Sequence, residues 1–224
     1  MTKFDEVTAT LGNLPTMGED RARELCSFVL EHGAEELLEI GFLHGKSSAY
    51  LAAILEDQGR GHLTTIDRVN VRTLEPSIFE TLARVGLTHR VTPIFAPRSP
   101  TWELCKMIQD GRGTRFDLCY FDARYTRDVT GLDFVLVDAL LKPGGWIVCD
   151  GLDWTIADSF DRKRTLPPYD AEERQTNDVR LAFEIIGDRV GYRTRLENNG
   201  WGFAQKPRKR GLFDVKRFAF PWEQ

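Results

Sequence analysis

Four acidic residues stand in or just after short apolar runs: Glu39 in Glu36-Leu37-Leu38-Glu39-Ile40, Asp67 after Leu63-Thr64-Thr65-Ile66, Asp122 after Phe116-Asp117-Leu118-Cys119-Tyr120-Phe121, and Asp150 after Trp146-Ile147-Val148-Cys149. If the runs are parallel strands, the acids collect along one rim, and ligands of open parallel α/β sheets bind beyond that rim. A single acid at a strand end can simply cap the following helix. Four on one rim point to a shared ligand that is cationic or rich in hydroxyls.

The first turn narrows the ligand. It reads Leu38-Glu39-Ile40-Gly41-Phe42-Leu43-His44-Gly45-Lys46-Ser47-Ser48. Gly41 permits a tight bend and close approach of backbone to a ligand, and Gly45 opens the next helix. The third glycine of a dinucleotide fingerprint is missing, and Phe42 and Leu43 fill places where a pyrophosphate needs bare backbone. A carboxylate at Asp67, at the end of the next strand, can accept hydrogen bonds from both ribose hydroxyls of an adenosine. An adenosine without a pyrophosphate therefore fits better than NAD.

These residues need elements to position them. Short strand candidates alternate with helical segments, the pattern of a parallel sheet covered on both faces. An amphipathic helix is expected over Glu19–His32, stopped by Gly33. Strands follow at Glu36–Ile40, His62–Asp67, Arg90–Phe95, Phe116–Asp122 and Trp146–Asp150. The helices between them are expected at Gly45–Gln58, Val71–Val85, Pro100–Gln109 and Val129–Leu141, the last closed by Pro143-Gly144-Gly145. Residues 151–177 are polar, contain Pro167-Pro168, and have the length of a lid or binding loop. A helix over Asp178–Val190 and a hairpin turning at Asn198-Asn199-Gly200 complete the pattern.

A chain of 224 residues, 42% apolar and 29% charged, is expected to form one domain over 1–224, with a core over 19–205, an N-terminal segment over 1–18 and a tail over 206–224. The net charge of −4 disfavours nucleic acid as a partner despite the basic start of the tail. No run approaches the roughly 18 apolar residues of a membrane span. The opening residues Met1–Glu6 lack the layout of a signal peptide, and a cytoplasmic location is expected. Cys26, Cys105, Cys119 and Cys149 show no metal or redox spacing and read as small hydrophobes.

The ordered set of features resembles the class I S-adenosylmethionine-dependent methyltransferases. Glu39-Ile40-Gly41 with Gly45 and Ser47 is similar to their first motif, and Asp67 to their ribose-binding acid. Phe116–Asp122 looks like their fourth strand, and Leu140-Leu141-Lys142-Pro143-Gly144-Gly145-Trp146-Ile147-Val148-Cys149-Asp150 like the motif entering the fifth. The closest subgroup in appearance is the small-molecule O-methyltransferases of the catechol and macrolide-sugar type. The resemblance implies a Rossmann-like three-layer α/β sandwich whose seven-stranded, mostly parallel sheet has the order 3-2-1-4-5-7-6 and an antiparallel last strand. It implies S-adenosylmethionine held by Glu39, Gly41, Phe42, Gly45, Ser47, Asp67, Arg68, Ser99 and Asp122, with His44 either touching the methionine carboxylate or facing solvent.

The acceptor is expected to be a small molecule, methylated at a hydroxyl oxygen, with residues 151–177 closing over it. Asp150, Tyr125 and Asp122, in that order, are the candidates to take the proton. Many members of the subgroup hold a divalent metal between acids after strands four and five. Here Gly151 follows Asp150, and Asp122-Ala123-Arg124-Tyr125 brings a cation where a metal or histidine would sit. A metal-free site is the preferred reading, with Arg124 pairing one acid; magnesium, if bound, would use Asp122, Asp150 and Asp153. A non-catalytic module that keeps the cofactor pocket is the alternative from another class. A homodimer, if formed, would use the N-terminal segment or the aromatic tail.

Overall fold

The expected strands pair into one ladder in the computed structural model, which describes residues 1–111, 113–122, 126–158 and 169–208. They are β1 (Glu36–Ile40), β2 (His62–Arg68), β3 (Val91–Ala96), β4 (Phe116–Phe121) and β5 (Leu141–Cys149), joined by the hairpin β6 (Thr194–Asn198) and β7 (Trp201–Gln205). The order is β3-β2-β1-β4-β5-β7-β6. The first five strands run parallel, and β7 is antiparallel to both β5 and β6. This is the seven-stranded, Rossmann-like arrangement implied by the sequence resemblance.

Helices cover both faces. α1 (Lys3–Leu11), α2 (Glu19–Glu31), α3 (Lys46–Asp57) and α4 (Ile78–Arg84) lie on one face, and α5 (Pro100–Gln109), α6 (Arg127–Leu140) and α8 (Asp178–Arg189) on the other; α7 (Ala171–Gln175) is a single short turn. The alternation along β4 shows why its sequence is almost continuously apolar. Leu118 and Tyr120 enter the first core while Phe116, Cys119 and Phe121 enter the second. Cys26, Cys119 and Cys149 are buried, and that burial pushes their thiols up, away from reactivity.

Three elements differ from expectation. The helix expected over Val71–Val85 is split into a 3-10 turn at Val69–Thr73 and α4, because Pro76 cannot donate within a helix and pushes Glu75 out of the helical region. Ser77 and Glu80 then restart the chain with reciprocal capping bonds. Pro143-Gly144-Gly145 does not close α6. Leu141 is already extended (φ −75°, ψ 139°), and β5 begins there with a register shift against Phe116 and Leu118.

The third difference is α1, an element not expected in the N-terminal segment. Thr2 and Asp5 form a capping box, and Asp57 at the end of α3 accepts hydrogen bonds from the backbone of Lys3 and Phe4. Phe4, Val7 and Leu11 are buried. At the other end, buried Lys46 donates to the carbonyls of Gly12 (3.0 Å) and Leu14 (2.7 Å). Among the described residues no helix is long and apolar enough to cross a membrane.

The segment expected as a lid begins anchored: Leu152 and Ile156 are buried, and the Leu152 N–H donates to Gly200. Residues 159–168, including Pro167-Pro168, and the tail from 209 onward lie outside the described residues.

Candidate active site

The sheet order reverses direction between β1 and β4, and this is where a doubly wound sheet opens a crevice. Backbone bonds fasten the strand ends to one another. Gly41 N donates to Ile66 O, Asp122 N to Ile40 O and Asp150 N to Phe121 O, at 2.8–2.9 Å. Asp67, the Gly41 turn, Asp122 and Asp150 therefore follow one another along a single rim.

At the β1 end, Gly41 has φ +93°, a conformation that favours glycine. Glu39 beneath it is completely buried. One carboxylate oxygen accepts from the hydroxyls of Ser48 and Thr65; the other, Oε1, has no hydrogen-bond partner among the described residues. Burial pushes its carboxyl up to about 7, against the hydroxyls of Ser47, Ser48 and Thr65, which pull it down. An orphaned buried carboxylate oxygen fits a donor group supplied by a ligand.

Asp67 is also buried, and its carboxylate organises the turn. Oδ2 accepts from the N–H groups of Phe42 (2.8 Å) and Leu43 (2.9 Å), and Oδ1 from that of Arg68 (2.7 Å). A carboxylate offers about four acceptor sites, so capacity remains for a ribose hydroxyl. Phe42 is buried edge-on against Phe95. His44 donates its Nδ1–H to Pro76 O (2.8 Å), which fixes the ring to the segment before α4.

At the β5 end, Asp150 is held on both sides. Arg21, in the first turn of α2, donates from Nη2 to Oδ1 at 2.7 Å, and the Tyr120 hydroxyl donates to Oδ2 at 3.0 Å. The Arg21 guanidinium also lies over the Trp201 ring, 4.5 Å from its centroid. Burial first, then the charges of Asp122 and Asp150, push the Tyr120 phenol up, so it remains a proton donor.

A scan of protein families matches residues 38–152 to the family described as Methyltransferase domain. That stretch spans half of the chain, from the core of β1 to just past Asp150. The chain belongs to this methyltransferase family. Solved structures share its fold. The O-methyltransferase TomG of Streptomyces achromogenes, solved with S-adenosylmethionine, is 22% identical over 92% of this chain and 89% of its own (TM-score 0.63). The cofactor-bound Rv0187 of MTB is 22% identical over 93% and 90% (TM-score 0.64), and an O-methyltransferase of Bacillus cereus, solved with S-adenosylhomocysteine, 22% over 91% and 89% (TM-score 0.58). No curated protein matches the sequence.

The methyltransferase does not present the acids expected of a metal site. Asp150 already carries an ion pair and a phenol hydrogen bond. Asp153 is turned to Arg180 (2.7 Å), which also binds Glu197 on β6. Among the described residues no three His, Cys, Asp or Glu side chains converge on a point that could hold a metal. As placed, Asp150 and Asp153 are thus committed to protein partners rather than turned to a common cation. Tyr125 and Arg124 lie outside the described residues. Ser99 precedes α5 and makes no capping bond with its hydroxyl, while Arg68 is exposed.

Sequence reasoning missed Arg21, Tyr120 and Trp201. Arg21 sits on the polar side of an amphipathic helix, where a charge is usually only solvated. The usable signal was directional: a helix leading into β1 must run opposite to it, which sets its first turn at the strands' carboxyl rim.

Proposed function

We propose that this methyltransferase transfers the methyl group of S-adenosylmethionine to a hydroxyl oxygen of a small-molecule acceptor. The observation that carries the reading is the rim itself. Glu39, with its partnerless oxygen, and Asp67 stand at one end, and Asp150 with Tyr120 and Arg21 at the other. Glu39, Gly41, Phe42, Gly45, Ser47 and Asp67 would hold the cofactor, with Arg68, Ser99 and Asp122 bordering it. The bound sulfonium supplies an already activated methyl group. What this chain must add is placement of the acceptor and removal of its proton. Asp150 is the proposed proton acceptor, and Asp122 and Tyr125 are the further candidates.

Calorimetry with S-adenosylhomocysteine tests the cofactor end. The protein should bind it and should not bind NAD. Asp67→Ala removes charge-assisted hydrogen bonds worth roughly 1.5–3 kcal/mol each and frees the Phe42–Leu43 turn, so affinity should fall at least about tenfold. Equal affinity in the two proteins would remove Asp67 from the site, and preference for NAD would overturn the reading.

A further inference from the structure

The cation on Asp150 bears on the chemistry of the acceptor, granted the methyl transfer proposed above. Arg21 carries five N–H donors in a planar fork, and among the described residues one nitrogen is spent, on Asp150. Its side chain is 42% exposed, against 14% for Asp150. The guanidinium is held by the face of Trp201 on β7 and by Asp150 just after β5, so its position is fixed while most of its donors remain available. The buried indole Nε1–H of Trp201 is a second donor in the same cluster, and it has no acceptor among the described residues.

The pairing has a cost for proton removal. Both oxygens of Asp150 are already engaged, Oδ1 by Arg21 and Oδ2 by Tyr120, so a proton delivered there competes with donors already in place. A hydroxyl that is itself acidic is the kind that gives up its proton against that competition. The same guanidinium supplies what makes a hydroxyl acidic: a fixed positive charge beside the oxygen where negative charge develops.

We propose that Arg21 is a specificity-determining residue that holds the acceptor's oxygen as an anion, so that the site takes acidic hydroxyls of the phenol or enol class and does so without a metal ion. The acceptor's proton passes to Asp150 and on to solvent. The oxygen's electron pair then forms the new O–CH3 bond while the C–S bond breaks and its pair returns to sulfur. A sulfonium and an oxyanion become a neutral thioether and a neutral ether. Arg21 and Asp150 end the cycle paired as they began.

The test uses the full chain saturated with S-adenosylhomocysteine and 4-nitrophenol as the probe, whose anion is coloured. Bound to the wild type, the probe should ionise at lower pH than in buffer, by about 1 unit or more for a charge this close. Arg21→Met should abolish the shift, and Arg21→Lys, which keeps the charge, should retain part of it. S-adenosylhomocysteine affinity should be the same in all three proteins, and neither chelator nor added magnesium should alter the shift. A probe that does not bind the wild type, binds without a shift, or keeps its shift in Arg21→Met overturns the proposal, as does a shift that requires magnesium. Loss of S-adenosylhomocysteine binding in the wild type would instead overturn the cofactor reading on which the proposal rests.

Discussion

A Cβ placed on Gly45 would lie 2.5 Å from Cγ1 of Ile78, at a backbone φ of +82°. This glycine is therefore demanded by the close approach of α4 as well as by the turn's conformation, a reason that the motif spacing could not reveal. Gly45→Ala should lower stability by roughly 1–3 kcal/mol through strain and overlap. Chemical unfolding monitors that loss, and an unchanged midpoint would show that Ile78 yields freely. At this scale the sequence was most readable in where the acids stand, in or just after the strand ends, as with Glu39, Asp67 and Asp150. It was least readable where a role depends on what lies across space. Asp67 reads as a ribose acid, yet its three backbone bonds to Phe42, Leu43 and Arg68 are visible only once the turn is folded.

Between α5 and α6 lies an acid that belongs to neither end of the rim. Asp133 is completely buried, accepts from Thr101 Oγ1 at 2.5 Å, and leaves Oδ2 without a partner among the described residues. Burial pushes its carboxyl up to about 7. The folded chain then binds a proton that the unfolded chain has lost above its ordinary pKa of about 4. Stability should fall as pH rises from about 4 to 7, then level off. Asp133→Asn keeps an acceptor for Thr101 and removes the titration. It should stabilise the protein at neutral pH by an amount on the order of 1–4 kcal/mol and flatten part of the decline, with buried Glu39 and Asp178, both pushed up by burial, contributing to the rest. Urea unfolding at several pH values checks this; a variant with an unaltered slope would refute it. Elements with strong local signals, such as the α2 helix and the β6–β7 hairpin, were legible to within a residue or two. The break at Pro76 and the early start of β5 were not. The Val71–Val85 stretch reads as one amphipathic run, and Pro143-Gly144-Gly145 has turn composition although the ladder carries it as strand.

For the whole molecule, the two cores have different owners. The core behind α5, α6 and α8 is built within the matched family stretch and the closing segments, while the core behind α2 and α3 is completed by the N-terminal helix. Lys46 links that helix to the Gly41–Gly45 turn, because the residue that clamps the Gly12 and Leu14 carbonyls opens α3 directly after Gly45. Lys46→Met leaves two carbonyls without their donor, and amide exchange over residues 3–11 should accelerate while β1 and β4 stay protected. Exchange unchanged in α1 would show that apolar packing alone retains it. The sheet's two outer strands have a quieter consequence. β3 carries Pro93, which has no N–H to offer, and β6 is exposed along its whole length but sets Arg195 and Glu197 beside Thr194 and Asn198. An edge interrupted by proline and an edge lined with opposite charges are both poor templates for an added strand. Crowded copies of this chain are thus guarded against joining sheet to sheet, which leaves side-chain surfaces as the route by which one copy can meet another.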